Sequence, residues 1–350
     1  MIAAGSAARL TPRGALALGL LLLVLAFVAG SATGAYDISP RQLIRMLGDA
    51  LTGTATDSPE HLVFLNIRLP RLLLGVAAGA GLALAGALMQ GLFRNPLADP
   101  GLIGISSGAA LAAGLAIVMG QYWFPQLPHG LGSWTLMLAA FVGGLAVTLL
   151  IYMFSQGPMG THIGLMLLAG VAVNALAGAG LGYLNFVATD EQLRNIQFWL
   201  LGSLGSARWG AVWLVSGVVA VAGVAGLAFA RPLNAIALGE AQAALLGVNV
   251  ERTKRAVVVI TALAVGAVTA TTGIISFVGL IAPHWVRLVA GPDHRVVLPG
   301  SALLGAALVL AADAAARTLV QPAELPLGVL TAFIGGPMFL LMLRRFRSRM

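Results

Sequence analysis

Cysteine is absent from the 350 residues, lysine occurs once (Lys254), and only 9% of the side chains are charged. Without cysteine there is no disulfide and no thiolate metal site, although the compartment stays open. The shortage of charge excludes more. An average soluble domain is about 25% charged, and a chain that is 59% hydrophobic cannot hide that much apolar surface in a water-soluble core. The bilayer must be the solvent for most of it. There is no G-x-x-x-x-G-K-[ST] run and hence no P-loop. Asp313 is the one acidic residue inside an apolar run, too few intramembrane acids for ordinary proton coupling, and no catalytic constellation suggests an enzyme. If the chain moves a solute, the energy comes from a partner; the alternative from another class is a self-sufficient, proton-coupled secondary transporter.

What is present is long apolar sequence with 45 glycines, suited to helices that pack closely in lipid. A span needs about 20 apolar residues. Runs of that size fall at 15–34, 70–92, 102–119, 133–154, 163–187, 210–230, 256–272, 275–290, 297–318 and 326–343. The expected fold is an all-α membrane protein of about ten transmembrane helices in a single permease domain. Ten spans put both termini on one side and permit two five-helix halves, the second inverted because each half is odd. The first run, preceded by Arg9 and Arg13 and followed by small residues, also has the form of a signal peptide; the further spans favour a retained helix.

The net charge of +8 points to membrane topology, not nucleic acid. With both termini inside, the inner set holds Arg9, Arg13, Arg94, Arg231, Arg252, Lys254, Arg255, Arg287, Arg295, Arg344, Arg345, Arg347 and Arg349, 13 of the 20 basic residues. Asp37, Asp49, Asp57, Glu60, Asp190, Glu191 and Glu324 then fall outside. The positive-inside rule therefore places the N- and C-termini in the cytoplasm.

Several connectors could carry chemistry. The cytoplasmic segment 231–255 has Pro232 for a turn, good helix formers over Ala235–Leu246, and Gly239 and Gly247 bracketing a short amphipathic stretch, so a short helix–turn–helix could lie on the inner face as a docking surface or as a plain connector. Arg94-Asn95-Pro96-Leu97-Ala98-Asp99-Pro100-Gly101 cannot run as one helix through its two prolines. Arg68 and Arg71 at the mouth of the second span, and Arg317 near the outer end of the ninth, could snorkel to headgroups or pair with the carboxylates of a partner. Thr189–Leu204 joins a charged start to Phe198 and Trp199, which suits a short helix dipping into an outer vestibule. The five histidines, His61, His129, His162, His284 and His294, share no ligand spacing, so no metal site is expected.

In order along the chain stand Arg68-Leu-Pro-Arg71, Gly86-Ala-Leu-Met89-Gln90-Gly-Leu-Phe-Arg94-Asn95-Pro-Leu-Ala-Asp-Pro-Gly101, Phe198-Trp199-x-x-Gly202-Ser-Leu204, Leu238-Gly239-x-x-x-Ala243-x-x-Leu246-Gly247-Val248, Gly273-x-Ile-x-Phe277-Val-Gly-Leu280-x-Ala-Pro-His284 and Glu324-Leu-Pro-x-Gly328. This succession closely resembles the iron-siderophore, heme and cobalamin permeases of type II ABC importers, and it covers nearly the whole chain.

The resemblance implies a homodimer with a translocation path on its two-fold axis, in the inner membrane of a bacterium. Two cytoplasmic ABC ATPase subunits would couple through Leu238, Gly239, Glu240, Ala243, Leu246, Gly247 and Val248, with ATP and Mg acting there; no cofactor is expected on this chain. A periplasmic substrate-binding protein would dock on Arg68, Arg71 and Arg317. Met89, Gln90, Asn95, Phe198 and Trp199 are expected on the path, with an inner gate around Thr161, His162 and Ile163. The Thr189–Leu204 segment looks more like heme permeases than cobalamin ones, so heme is the expected cargo, with ferric siderophore and cobalamin as alternatives.

Overall fold

A computed structural model describes residues 10–33, 59–123, 133–158, 160–320 and 322–347, with isolated helical positions between 42 and 49. Arg9, Asp37, Arg41, Asp57, His129 and Arg349 lie outside the described residues. The described residues are almost wholly helical. In order it forms α1 (Pro12–Ala32), α2 (Pro59–Leu92), α3 (Ile105–Trp123), α4 (Trp134–Phe154), a two-residue antiparallel ladder of β1 (Gln156–Gly157) with β2 (Gly160–Thr161), α5 (Ile163–Val187), α6 (Asp190–Leu201), α7 (Trp209–Ala228), α8 (Ala230–Ile236), α9 (Glu240–Leu245), α10 (Val250–Thr272), α11 (Val278–Ala290), α12 (His294–Thr318) and α13 (Leu327–Arg347).

Among the described residues, eight of these helices are long and apolar enough to cross a bilayer; the apolar stretch Ile105–Gly120 of α3 and all of α11 are shorter. The chain is thus an all-helical membrane protein with eight to ten apolar helices. The expected span 275–290 narrows to the 13 residues of α11. Gly273 and Phe277 take positive φ, 71° and 65°, which ends α10 and leaves the residues between them non-helical. At 1.5 Å per residue α11 reaches about 20 Å, short of the roughly 30 Å hydrocarbon layer. At its other end α10 starts at Val250, six residues before the expected 256, because the Asn249 side chain accepts the Arg252 amide at 2.9 Å and caps it.

Helix packing sorts the bundle into an inside and an outside. In the most apolar windows of α2, α10 and α12, 83%, 72% and 67% of residues are buried, against 17% in α1 and α5. Lipid supplies no hydrophobic drive between helices, so close van der Waals fit and polar links must hold them. Glycine provides the fit. A Cβ on Gly79 would strike the Gly305 carbonyl of α12, and one on Gly86 the Gly279 carbonyl of α11. Backbone touches backbone at both crossings.

Candidate functional site

Polar side chains gather at the two ends of the bundle. At one end Arg71, in the first half of α2, makes a double ion pair. Its Nε and Nη2 reach Asp313 Oδ1 at 3.0 and 2.9 Å, and its Nη1 and Nη2 reach Glu324 at 3.0 and 2.8 Å. Asp313 on α12 is 1% exposed and also accepts from Arg317 Nε, one turn on, at 3.1 Å. Arg317 then donates to the Thr33 and Gly30 carbonyls at the end of α1, at 2.6 and 2.9 Å. Arg68, 7% exposed, donates to the Ser31 carbonyl at 2.9 Å. Within this chain these arginines fasten α1, α2 and α12 to one another. Glu324 is the exposed member, and the hydrogen bonds from Arg71 hold its carboxyl below the usual range.

At the opposite end the 231–255 connector folds into α8 and α9. Pro232 sits in the first turn of α8, where proline is tolerated, instead of making the expected turn. The expected short helix–turn–helix is there: it turns at Gly239, whose φ of 123° lets α9 start in a new direction between the bracketing glycines. α9 ends at Gly247, φ 81°, with the Val248 amide on the Ala243 carbonyl and the Gly247 amide on the Ala244 carbonyl, the double bond pattern of a glycine C-cap. Residues 250–255 already belong to α10. Ala243 is buried, whereas Leu238, Leu245 and Leu246 are 68%, 88% and 65% exposed, an apolar tip with no cover from this chain.

Two links anchor that tip. On α8, Asn234 donates to Asp293 Oδ1 at 2.7 Å and accepts the His294 amide at 3.0 Å, which ties it to the start of α12. On α9, Glu240 accepts from Lys254 Nζ at 2.7 Å. Beside it stands the β1–β2 hairpin. Thr161 is 4% exposed and bonded to Glu251 through both its amide and its hydroxyl; His162 is exposed and Ile163 opens α5. Sequence reading marked the hairpin's end but missed Glu251 and Lys254, since nothing local in the sequence shows that α10 passes behind the hairpin.

The remaining expected path residues scatter. Met89 and Gln90 are 0% and 2% exposed because α2 is enclosed by neighbouring helices, so neither faces open space. Gln90 instead donates to the Gly279 and Leu280 carbonyls at 3.4 and 3.3 Å and accepts from Arg287, fastening α11 to α2. Asn95 is exposed in the α2–α3 connector, where its side chain accepts the Leu97 amide. Phe198 is 63% exposed, while Trp199 packs on the cluster around Ala109 and Ala140. A cavity of about 420 Å³ lies where that connector meets the non-helical residues before α11, lined by Asp99, Ser106, Ile274 and Ser276 among others.

Comparison with known proteins adds a second line. The model of the FecCD transport family matches residues 21–345. The hemin transport system permease protein of Yersinia pestis is 45% identical over 97% of this chain and 98% of that one. The cobalamin import system permease protein of Halobacterium salinarum is 44% identical over 80% of this chain and 72% of that one. Among solved structures, "an inward-facing conformation of a putative metal-chelate type ABC transporter" superposes with a TM-score of 0.81 at 31% identity, covering 94% of this chain and 98% of that one.

Proposed function

The chain belongs to the FecCD transport family and is the permease of an ABC importer, a transport subunit and not an enzyme; on that premise we propose that its cargo is heme. The observation that carries this is the 45% identity running end to end with a hemin permease. Cobalamin is the second reading, because a cobalamin permease is 44% identical over a shorter stretch.

In this reading two copies pair across a two-fold path in the bacterial inner membrane. Their halves are inverted repeats, both termini are cytoplasmic, and the Arg71 end faces out. The exposed apolar faces of α5 (Leu168, Leu176, Phe186) and α13 (Phe333) meet lipid or the second copy. Two ATPase subunits, where ATP and Mg act, seat on Leu238, Leu245 and Leu246, since leucines exposed at a cytoplasmic tip need a protein partner. A periplasmic binding protein delivers the cargo. Its carboxylates would compete with Glu324 for the outer edge of Arg71, while Arg68 and Arg317, turned onto α1, keep that platform rigid. The inner gate is the hairpin at Thr161–Ile163.

The test is uptake by the complex of permease, ATPase and binding protein reconstituted in liposomes, offered hemin, a ferric siderophore and cyanocobalamin in turn. ATP-dependent accumulation of hemin alone is expected. Accumulation of cyanocobalamin and not hemin would transfer the assignment to the second reading, and uptake by the permease without its ATPase would sink both.

A further inference from the structure

The hairpin and α9, about 80 residues apart in sequence, are joined by side chains of α10. Lys254 Nζ donates to the Thr161 carbonyl at 2.8 Å, at the end of the hairpin, and to Glu240 Oε2 at 2.7 Å, the first residue of α9. Glu251, almost one turn earlier, accepts from the Thr161 amide at 2.9 Å, from the Thr161 hydroxyl, and from the Tyr152 hydroxyl of α4 at 3.2 Å. α10 thus meets Thr161 at its amide, hydroxyl and carbonyl, and the hydroxyl also accepts from Gln156 Nε2 within the hairpin at 3.0 Å. Lys254 is 5% exposed. Burying a cation without partners is costly, and here two of the three ammonium donors are met, by one group on each of two separate elements.

The geometry makes a chain of contact from α9 through Lys254 to the hairpin, and the hairpin leads without a break into α5, because His162 immediately precedes Ile163. Neither the hairpin nor α9 is large enough to be stable alone. Two residues in each strand and six in α9 are far below the roughly 12–15 residues at which an isolated helix becomes marginal. Each therefore moves as its polar anchors dictate. We propose that Lys254 and Glu251 are positioning residues that latch the hairpin to α9, so that a displacement of α9 is carried to the start of α5 as one rigid step. The proposal rests on the reading of α8 and α9 as the seat of the ATPase. The link is polar, short and confined to one turn of α10, and it bypasses the apolar core.

The test uses the full permease–ATPase complex. The chain has no cysteine of its own, so Pro158→Cys on the hairpin and Ala241→Cys on α9, both exposed, accept spin labels cleanly. The shortest distance between them, that within one copy, measured by pulsed electron resonance, is expected to be narrow with and without ATP. Lys254→Met should let the two elements part in the ATP state, raising the separated population about tenfold, the scale of a residue on a coupling route. Glu240→Gln, at a partly exposed site, provides the same reading should Lys254→Met fold poorly. Lys254→Arg, which keeps charge and donors, should restore the narrow distance, as a purely space-filling role would not. An unchanged narrow distribution in both Lys254→Met and Glu240→Gln overturns the latch, as does a distance that already varies with ATP in the unmodified pair. Failure of the ATPase seat looks different: the label at 241 would then stay as mobile with the ATPase as without it.

Discussion

The two ends of the bundle use the same chemistry to opposite purposes. At the Arg71 end, guanidinium and carboxylate groups join three long helices, with Asp313 shared between Arg71 and Arg317. At the Lys254 end, a cation and a carboxylate hold a hairpin and a six-residue helix against a single long helix. A bidentate pair between rigid rods fixes their relative tilt. The same pair between small elements leaves the rods alone and fixes only what the small elements follow. One end is clamped and the other is linked.

The contrast breaks most plainly at Asp313. Replacing it with Ala removes the carboxylate that Arg71 and Arg317 share in a buried site, and about 3–5 kcal/mol of stability should be lost, read as a lower unfolding midpoint in detergent. If that midpoint stays put, the outer end is not a clamp. Arg71→Lys keeps the charge but loses the fork that holds Asp313 and Glu324 together; a loss of about 1.5–3 kcal/mol is expected by the same measurement. Asn249→Ala removes the cap of α10 and should cost about 1 kcal/mol while leaving the outer end untouched, which separate hydrogen-exchange rates at the two ends would report. Glu324→Gln is expected to cost less than about 1 kcal/mol, since the carboxylate is largely in water. Its signature is in pH. The folded carboxyl titrates below its ordinary value of 4.5, so its contribution is present above that value and is lost as pH falls through the lowered one. Unfolding midpoints of the parent should therefore fall toward those of Glu324→Gln on acidification, and parallel curves would remove Glu324 from the clamp.

Much of the fold was legible because a lipid-facing helix writes itself locally. The run 163–187 becomes α5 with the same bounds, since the hairpin stops it at one end and Thr189 opens the capped α6 at the other. α11 was misjudged because its length depends on Phe277, a non-glycine residue at positive φ, and no composition signals that. The arginines were legible as notable but not as paired. Arg71 meets Asp313 and Glu324 across 242 and 253 residues, a distance that only the folded helices close. The burial of Met89 and Gln90 was not legible, because it follows from how many helices surround α2, and periodicity cannot count them.

The glycine crossings of α2 have a mechanical consequence. Where Gly86 meets the Gly279 carbonyl and Gly79 meets that of Gly305, no side chain stands between the helices to snap from one rotamer to another. Interdigitated side chains act like gear teeth, resisting any change of angle until they jump a notch; bare backbones roll. α2 is thereby fitted to serve as a pivot: α11 and α12 rest on it there without interlocking, and the polar links on either side of the crossings, Arg71 to α12 and Gln90 to α11, are what fix their angles.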